Sequence, residues 1–180
     1  MARRSVRPHR LVAPGPSESD LQRIANAGAR GIDHGSLRPW RLVLVADRDQ
    51  LANAFAAAHL EQHPETAPAE SDRARQRALA GPVVLALIAK VSNHDDMVPA
   101  HEQWIAIGAA LQQMLLAADA LGFAGCILSG RKVQSDALRR AFSLAPSEQL
   151  VGFLTFGTAA TENPPRIPPT DDIGWTIWSS

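Results

Sequence analysis

Near the start of this 180-residue sequence, Arg3, Arg4 and Arg7 surround Ser5 and Val6. Guanidinium forks and a hydroxyl are strong donors toward phosphates and other oxyanions. The plain alternative is a solvated basic terminus, because chain ends order poorly unless something ties them down. A second polar group, Arg30, His34, Ser36 and Arg38, lies before Pro39-Trp40. Read alone, Arg30 is a cation suited to a helix C-terminus, and His34 is a turn histidine between Asp33 and Gly35. A third cluster is His94, Asp95, Asp96, His101 and Glu102. Such groups can hold a hard or borderline cation, but their spacing follows no known ligand pattern and no metal is expected. Glu102 reads instead as an acid placed to suit the first turn of a helix.

Composition narrows the function classes. Lys and Arg total 18 and Asp and Glu total 18, giving a formal net charge of zero. The broad basic field of a non-specific nucleic-acid binder is missing. The single cysteine, Cys126, has no intrachain partner and sits in an apolar run that reads as core, which suits a reducing compartment. No apolar run approaches the roughly 18 residues of a membrane span. No apolar stretch follows the N-terminal charges, so a signal peptide is not expected. Together these features predict a cytoplasmic protein. There is no G-x-G-x-x-G, Walker A, G-x-S-x-G or C-x-x-C sequence.

The elements that must position these groups follow from periodicity. Ser17-Glu18-Ser19-Asp20 reads as a helix cap, and the helix runs to about residue 29. Strands are expected over 42–46, 82–91, 123–129 and 150–158, and helices over 49–60, 70–80, 101–121 and 135–142. Continuous apolarity over 82–91 predicts a central strand buried on both faces. The helix over 101–121 is apolar on most sides, which places it in a core or at a subunit interface. Residues 159–180 are rich in proline and end on Trp175-Thr176-Ile177-Trp178, an arm expected to pack on a partner. The whole is one α+β domain spanning 1–180.

Three segments in this order and spacing resemble one family. They are Arg3-Arg4-Ser5-Val6-Arg7, the stretch AGARGIDHGSLRPWRLVLV from Ala27, and the helix over 101–121 that leads through Gly122-Phe123-Ala124-Gly125 to Ser129-Gly130. Pro99, Glu102-Gln103, Val151-Gly152-Phe153-Leu154 and Gly157-Thr158 extend the match. The sequence resembles the nitroreductase family of FMN oxidoreductases, in particular its minimal, single-domain, YdjA-like branch.

The resemblance implies a central mixed, mostly antiparallel sheet flanked by helices. It also implies a homodimer with the long helix at its interface, the C-terminal arm on the partner subunit and FMN sites shared between subunits. Arg3 and Ser5 match the positions that hold the FMN phosphate, and Arg4 completes that triplet. Arg7 matches a basic position beside the flavin N1/O2 edge, where a cation offsets the charge of reduction. Arg30 and His34 match positions reaching the cofactor from the neighbouring subunit. Ile127, Leu128 and Ser129 match the segment passing flavin N5. Trp40 reads as a core anchor.

The sequence departs from the family at several of these positions. Leu128 stands where the branch has arginine, and Arg38 where the family has glutamine. Gly31-Ile32 replaces an Ala-Pro pair, which predicts a mobile loop. Only Met1-Ala2 precede the Arg triplet, which predicts a loose phosphate site. The activity implied is ping-pong hydride transfer from NAD(P)H, through flavin N5, to nitroaromatic or quinone-type acceptors. Two alternatives stay open: an FMN-binding or flavin-handling protein without reductase turnover, and a flavin-free scaffold of the same fold.

Overall fold

In the computed structural model, which describes residues 3–92, 97–160 and 174–178, the longest strand is β5 (Glu148–Ala159), and the sheet is built around it. One edge of β5 pairs with β3 (Val83–Lys90), which in turn pairs with β2 (Trp40–Leu44). Strand β5 also pairs with β4 (Ala124–Leu128) and, at its C-terminal end, with β1 (Leu11–Val12). All these pairings are antiparallel. An isolated parallel bridge joins Ser5 to Gly125 outside these strands, so the sheet is antiparallel and flanked by helices, and the mixed sheet expected is antiparallel in all its strand pairings.

The apolar run of β3 serves two cores, because alternate side chains of a strand point to opposite faces. Val84, Ala86 and Ile88 face α2 (Arg48–Gln62), α3 (Pro68–Leu79) and α5 (Asp136–Ala141), where Phe55, Ala58, Ala78 and Leu138 complete the cluster. Leu85, Leu87 and Ala89 face α1 (Glu18–Gly28) and α4 (Ala100–Ala120), against Ile24, Ile107, Met114 and Ala118. The result is a helix–sheet–helix sandwich. Full burial of each Leu or Ile contributes about 1.5–3 kcal/mol.

Local chemistry sets the element ends. Ser17 Oγ accepts from the Asp20 N–H, and the Asp20 carboxylate accepts from the Ser17 N–H, a complete capping box for α1. Gly122, at φ +86°, follows α4 and lets the chain reverse into β4. Arg48 donates to the carbonyls of Ala78, Ala80 and Gly81 at 2.6–3.2 Å, satisfying groups at the C-terminal end of α3.

Some expectations need correction. The strand expected over 42–46 begins at Trp40 instead. The Lys90 N–H donates to the Pro39 carbonyl, so the ladder starts there, while the Asp47 side chain caps α2 and draws residue 46 out of the strand. The strand expected over 150–158 extends to Glu148 and Ala159, which pair with Lys90 and Leu11. The two-residue β1 carries no periodicity and was not expected. The long helix is buried along Gln103, Ile107, Ala110, Met114 and Ala118, but Trp104 and Ile105 are exposed in the single chain. Trp40 packs partly buried against the second core. In the arm, Trp175, Ile177 and Trp178 are exposed and lie outside regular structure.

Candidate active site

The N-terminal segment is tied down by β4. Ser5 bridges Gly125, the Val6 N–H donates to the Gly125 carbonyl at 3.2 Å, and the Val6 side chain is buried. This pairing fastens residues 5 and 6 to β4. Arg7 follows with extended backbone and leads into a 3-10 turn at Pro8–Arg10.

Arg7 opens onto a cavity of about 810 Å³ that Leu128 and Ser129, at the end of β4, also line. Ser129 Oγ donates to the Val151 carbonyl at 2.9 Å, which fixes its side chain against the sheet. Phe55 and Phe153 supply an aromatic wall, with ring centroids 5.2 Å apart. Gly130, at φ +118°, turns the chain into the 3-10 segment Arg131–Gln134. The fold thus brings together Arg7, Leu128 and Ser129. Ile127 packs toward the second core and does not line the cavity. Arg3, Arg4 and Ser5 lie just upstream of Arg7, and none of them lines the cavity.

Arg30 and His34 stand elsewhere. They follow α1, in the layer on the other face of the sheet from the helices that wall the cavity. His34 Nδ1 meets Glu102 Oε2 at 2.5 Å, so the turn is pinned to the first turn of α4. Gly31 packs closely on α4. A methyl on Gly31 would lie 3.0 Å from the Ala110 nitrogen and 3.2 Å from the Ala109 carbonyl carbon, so glycine lets this turn close on α4. Downstream, the Arg38 N–H donates to Asp33 at 2.8 Å.

Of the cluster weighed for metal, His94, Asp95 and Asp96 lie outside the described residues, and Glu102 is engaged by His34. Gln103, which is buried, has its own task. Its side chain accepts from the Ser92 N–H and donates to the Ser92 and Val98 carbonyls, holding both ends of the connection before α4. Burial pushes the Cys126 thiol up to about 11, so it stays protonated and unreactive in the core.

Sequence reasoning missed part of the cavity. Arg77 of α3, Arg131 and Lys132 line it as well. Lys132 Nζ lies 4.6 Å from the centre of the Phe55 ring, and burial, followed by repulsion from Arg77, lowers its pKa. Arg131-Lys132 directly after Ser129-Gly130 was a readable signal. Arg77 was not, because only the tertiary fold sets α3 beside this loop.

Known proteins agree with this architecture. The model of the nitroreductase family matches residues 1–158. The putative NAD(P)H nitroreductase YdjA of Escherichia coli (strain K12) is 35% identical over 153 residues, covering 83% of this chain and 81% of that protein. The crystal structure of a nitroreductase-like family protein from Bacillus cereus superposes with a TM-score of 0.78 at 21% identity, covering 97% of this chain and 92% of that one. A variant of the FMN- and NADPH-dependent nitroreductase NfnB from sphigopyxis sp. strain HMH gives 0.72 at 22% identity, covering 98% and 96%. At such identities the two crystal structures speak to the fold, while the family model and the YdjA match speak to descent. On that evidence the chain belongs to the nitroreductase family of oxidoreductases.

Proposed function

We propose that this chain is an FMN-dependent NAD(P)H oxidoreductase that passes hydride in ping-pong fashion to nitroaromatic or quinone-type acceptors. The observation that carries the reading is the meeting of Arg7, Leu128 and Ser129 at one cavity, from positions more than a hundred residues apart. The relative YdjA is named a putative NAD(P)H nitroreductase, and the NfnB neighbour is named as FMN- and NADPH-dependent. The cavity volume lies within the usual range for small-molecule sites. Its donor set also suits a flavin: a cation at Arg7, an aromatic and aliphatic wall from Phe55, Phe153 and Leu128, and phosphate-type donors just upstream at Arg3, Arg4 and Ser5.

Bound FMN would supply the hydride chemistry at its N5 position. Arg7 would hold positive charge against the N1/O2 edge, and this charge is worth more in a cavity with apolar walls than in water. Ser129, with its side chain fixed on Val151, leaves the backbone of 127–129 as the rigid edge that orients the ring. Phe55, Phe153 and Leu128 would exclude water. Arg3, Arg4 and Ser5 would hold the phosphate.

The same reading makes the active unit a homodimer. Arg30 and His34 lie in the layer away from the cavity of their own chain, so they would serve the site of a second copy. The exposed Trp104 and Ile105 on α4, and the exposed Trp175, Ile177 and Trp178 of the arm, offer the apolar surface such a contact buries. Among the described residues no helix is long and apolar enough to cross a membrane.

The test is the visible absorption spectrum of the purified protein, before and after adding FMN and desalting. It is followed by bleaching with NADH or NADPH and reoxidation by a quinone. A retained flavin that neither dinucleotide bleaches would favour the flavin-handling alternative.

A further inference from the structure

The cavity carries more cations than the flavin's N1/O2 edge requires. Arg7, Arg77, Arg131 and Lys132 line it together with His9, and among the described residues no Asp or Glu does. The chain as a whole is balanced, 18 basic against 18 acidic residues, so this excess is local. Arg77, Arg131 and Lys132 make no salt bridge to a carboxylate among the described residues. Lys132 is partly buried against Phe55, and Arg77 is close enough to repel it. A cleft lined by one sign of charge focuses its field on an incoming ligand of the opposite sign.

We infer that Lys132 and Arg77, with Arg131, select hydride acceptors that carry an anionic substituent, such as a nitroaromatic carboxylate. The inference rests on the flavin reading for its chemistry and adds the substrate class. These cations share the cavity with Leu128 and Ser129. The 2′-phosphate of NADPH is remote from its nicotinamide. The first two-electron step on such an acceptor is ArNO2 + NAD(P)H + H⁺ → ArNO + NAD(P)⁺ + H2O. One N–O bond breaks, and its oxygen leaves as water.

The experiment compares 4-nitrobenzoate with its neutral methyl ester in the wild type, Lys132→Met and Arg77→Gln. Lys132→Met keeps an unbranched side chain of similar length and removes the ammonium with its contact on the Phe55 ring, and Arg77 is an exposed helix residue, so both variants should fold. The wild type should favour the acid in kcat/KM. Each variant should lower the acid-to-ester ratio roughly tenfold, the scale of one lost charge contact, mainly through KM. Calorimetric titration of both compounds into the protein should show the same loss of preference without turnover. That titration keeps the two readings separate: a protein that takes up no FMN defeats the oxidoreductase reading, whereas the anion preference is still measured directly. An unchanged acid-to-ester ratio would overturn the inference. So would a loss of FMN affinity in either variant, which would assign the cations to the flavin phosphate. A fall confined to NADPH relative to NADH would also overturn it, by assigning them to the dinucleotide.

Discussion

Arg41 grips Glu148 through two parallel contacts, Nε to Oε1 at 2.7 Å and Nη2 to Oε2 at 3.0 Å, joining β2 to the start of β5 across β3. The Ala145 N–H adds a third bond to the same carboxylate. The Arg41 guanidinium first, and then the Ala145 N–H, hold the Glu148 carboxyl down to about 2 from its ordinary 4.5.

This depression has a pH consequence. The folded state binds the Glu148 proton more weakly than the unfolded chain does. The ion pair's contribution is therefore complete above about 4.5 and is lost as pH falls from there toward about 2. Glu148→Gln should cost about 1.5–3 kcal/mol at neutral pH, the range for a charged hydrogen-bond partner, and should flatten the acid limb of stability. Urea unfolding between pH 2 and 7 checks both. Parallel stability–pH curves for wild type and variant would remove the assignment.

A methyl on Gly31 would require α4 to shift by a few tenths of an ångström. The atoms it would meet are backbone of α4, which cannot rotate away. Gly31→Ala is expected to cost about 1–3 kcal/mol, the usual penalty of overpacking, and to loosen the His34–Glu102 contact. Thermal unfolding measures the first effect, and the NMR signal of the His34 ring reports the second.

How much could be read in advance differs from element to element. The β3 run showed itself as a strand buried on both faces because no polar residue interrupts it from Val83 to Ala89. The capping box of α1 was legible because its chemistry is local. β1 was not, because two residues carry no period. The Arg7, Leu128 and Ser129 positions were legible through the resemblance. Phe55 and Arg77 were not, since each belongs to a different stretch of chain and only the docking of α2 and α3 beside the end of β4 brings them to the cavity.

Arg3 and Arg7 should separate in function. Arg3→Ala is expected to weaken FMN binding by about 10–100-fold, the loss of one charged hydrogen bond, with a smaller change in the rate of flavin reduction. Arg7→Ala should do the reverse. Fluorescence titration with FMN and stopped-flow reduction provide the two numbers. Equal FMN affinity in wild type and Arg3→Ala would refute the phosphate role.

The proposed sharing of sites between subunits predicts complementation. A mixed dimer of one Arg7→Ala subunit and one His34→Ala subunit carries both changes in one site and neither in the other. It should show about half the wild-type activity per dimer under the reciprocal geometry of a two-fold interface. Tagged co-purification of the mixed dimer, followed by quinone reduction, tests it. Activity no higher than the mean of the two parent variants would place His34 and Arg7 in the same site of one chain.

The visible spectrum tests the central claim most directly. Purified protein incubated with FMN and desalted should keep a flavin absorption band. NADH or NADPH should bleach that band, and a quinone should restore it. A protein that emerges colourless after incubation with FMN would contradict the account.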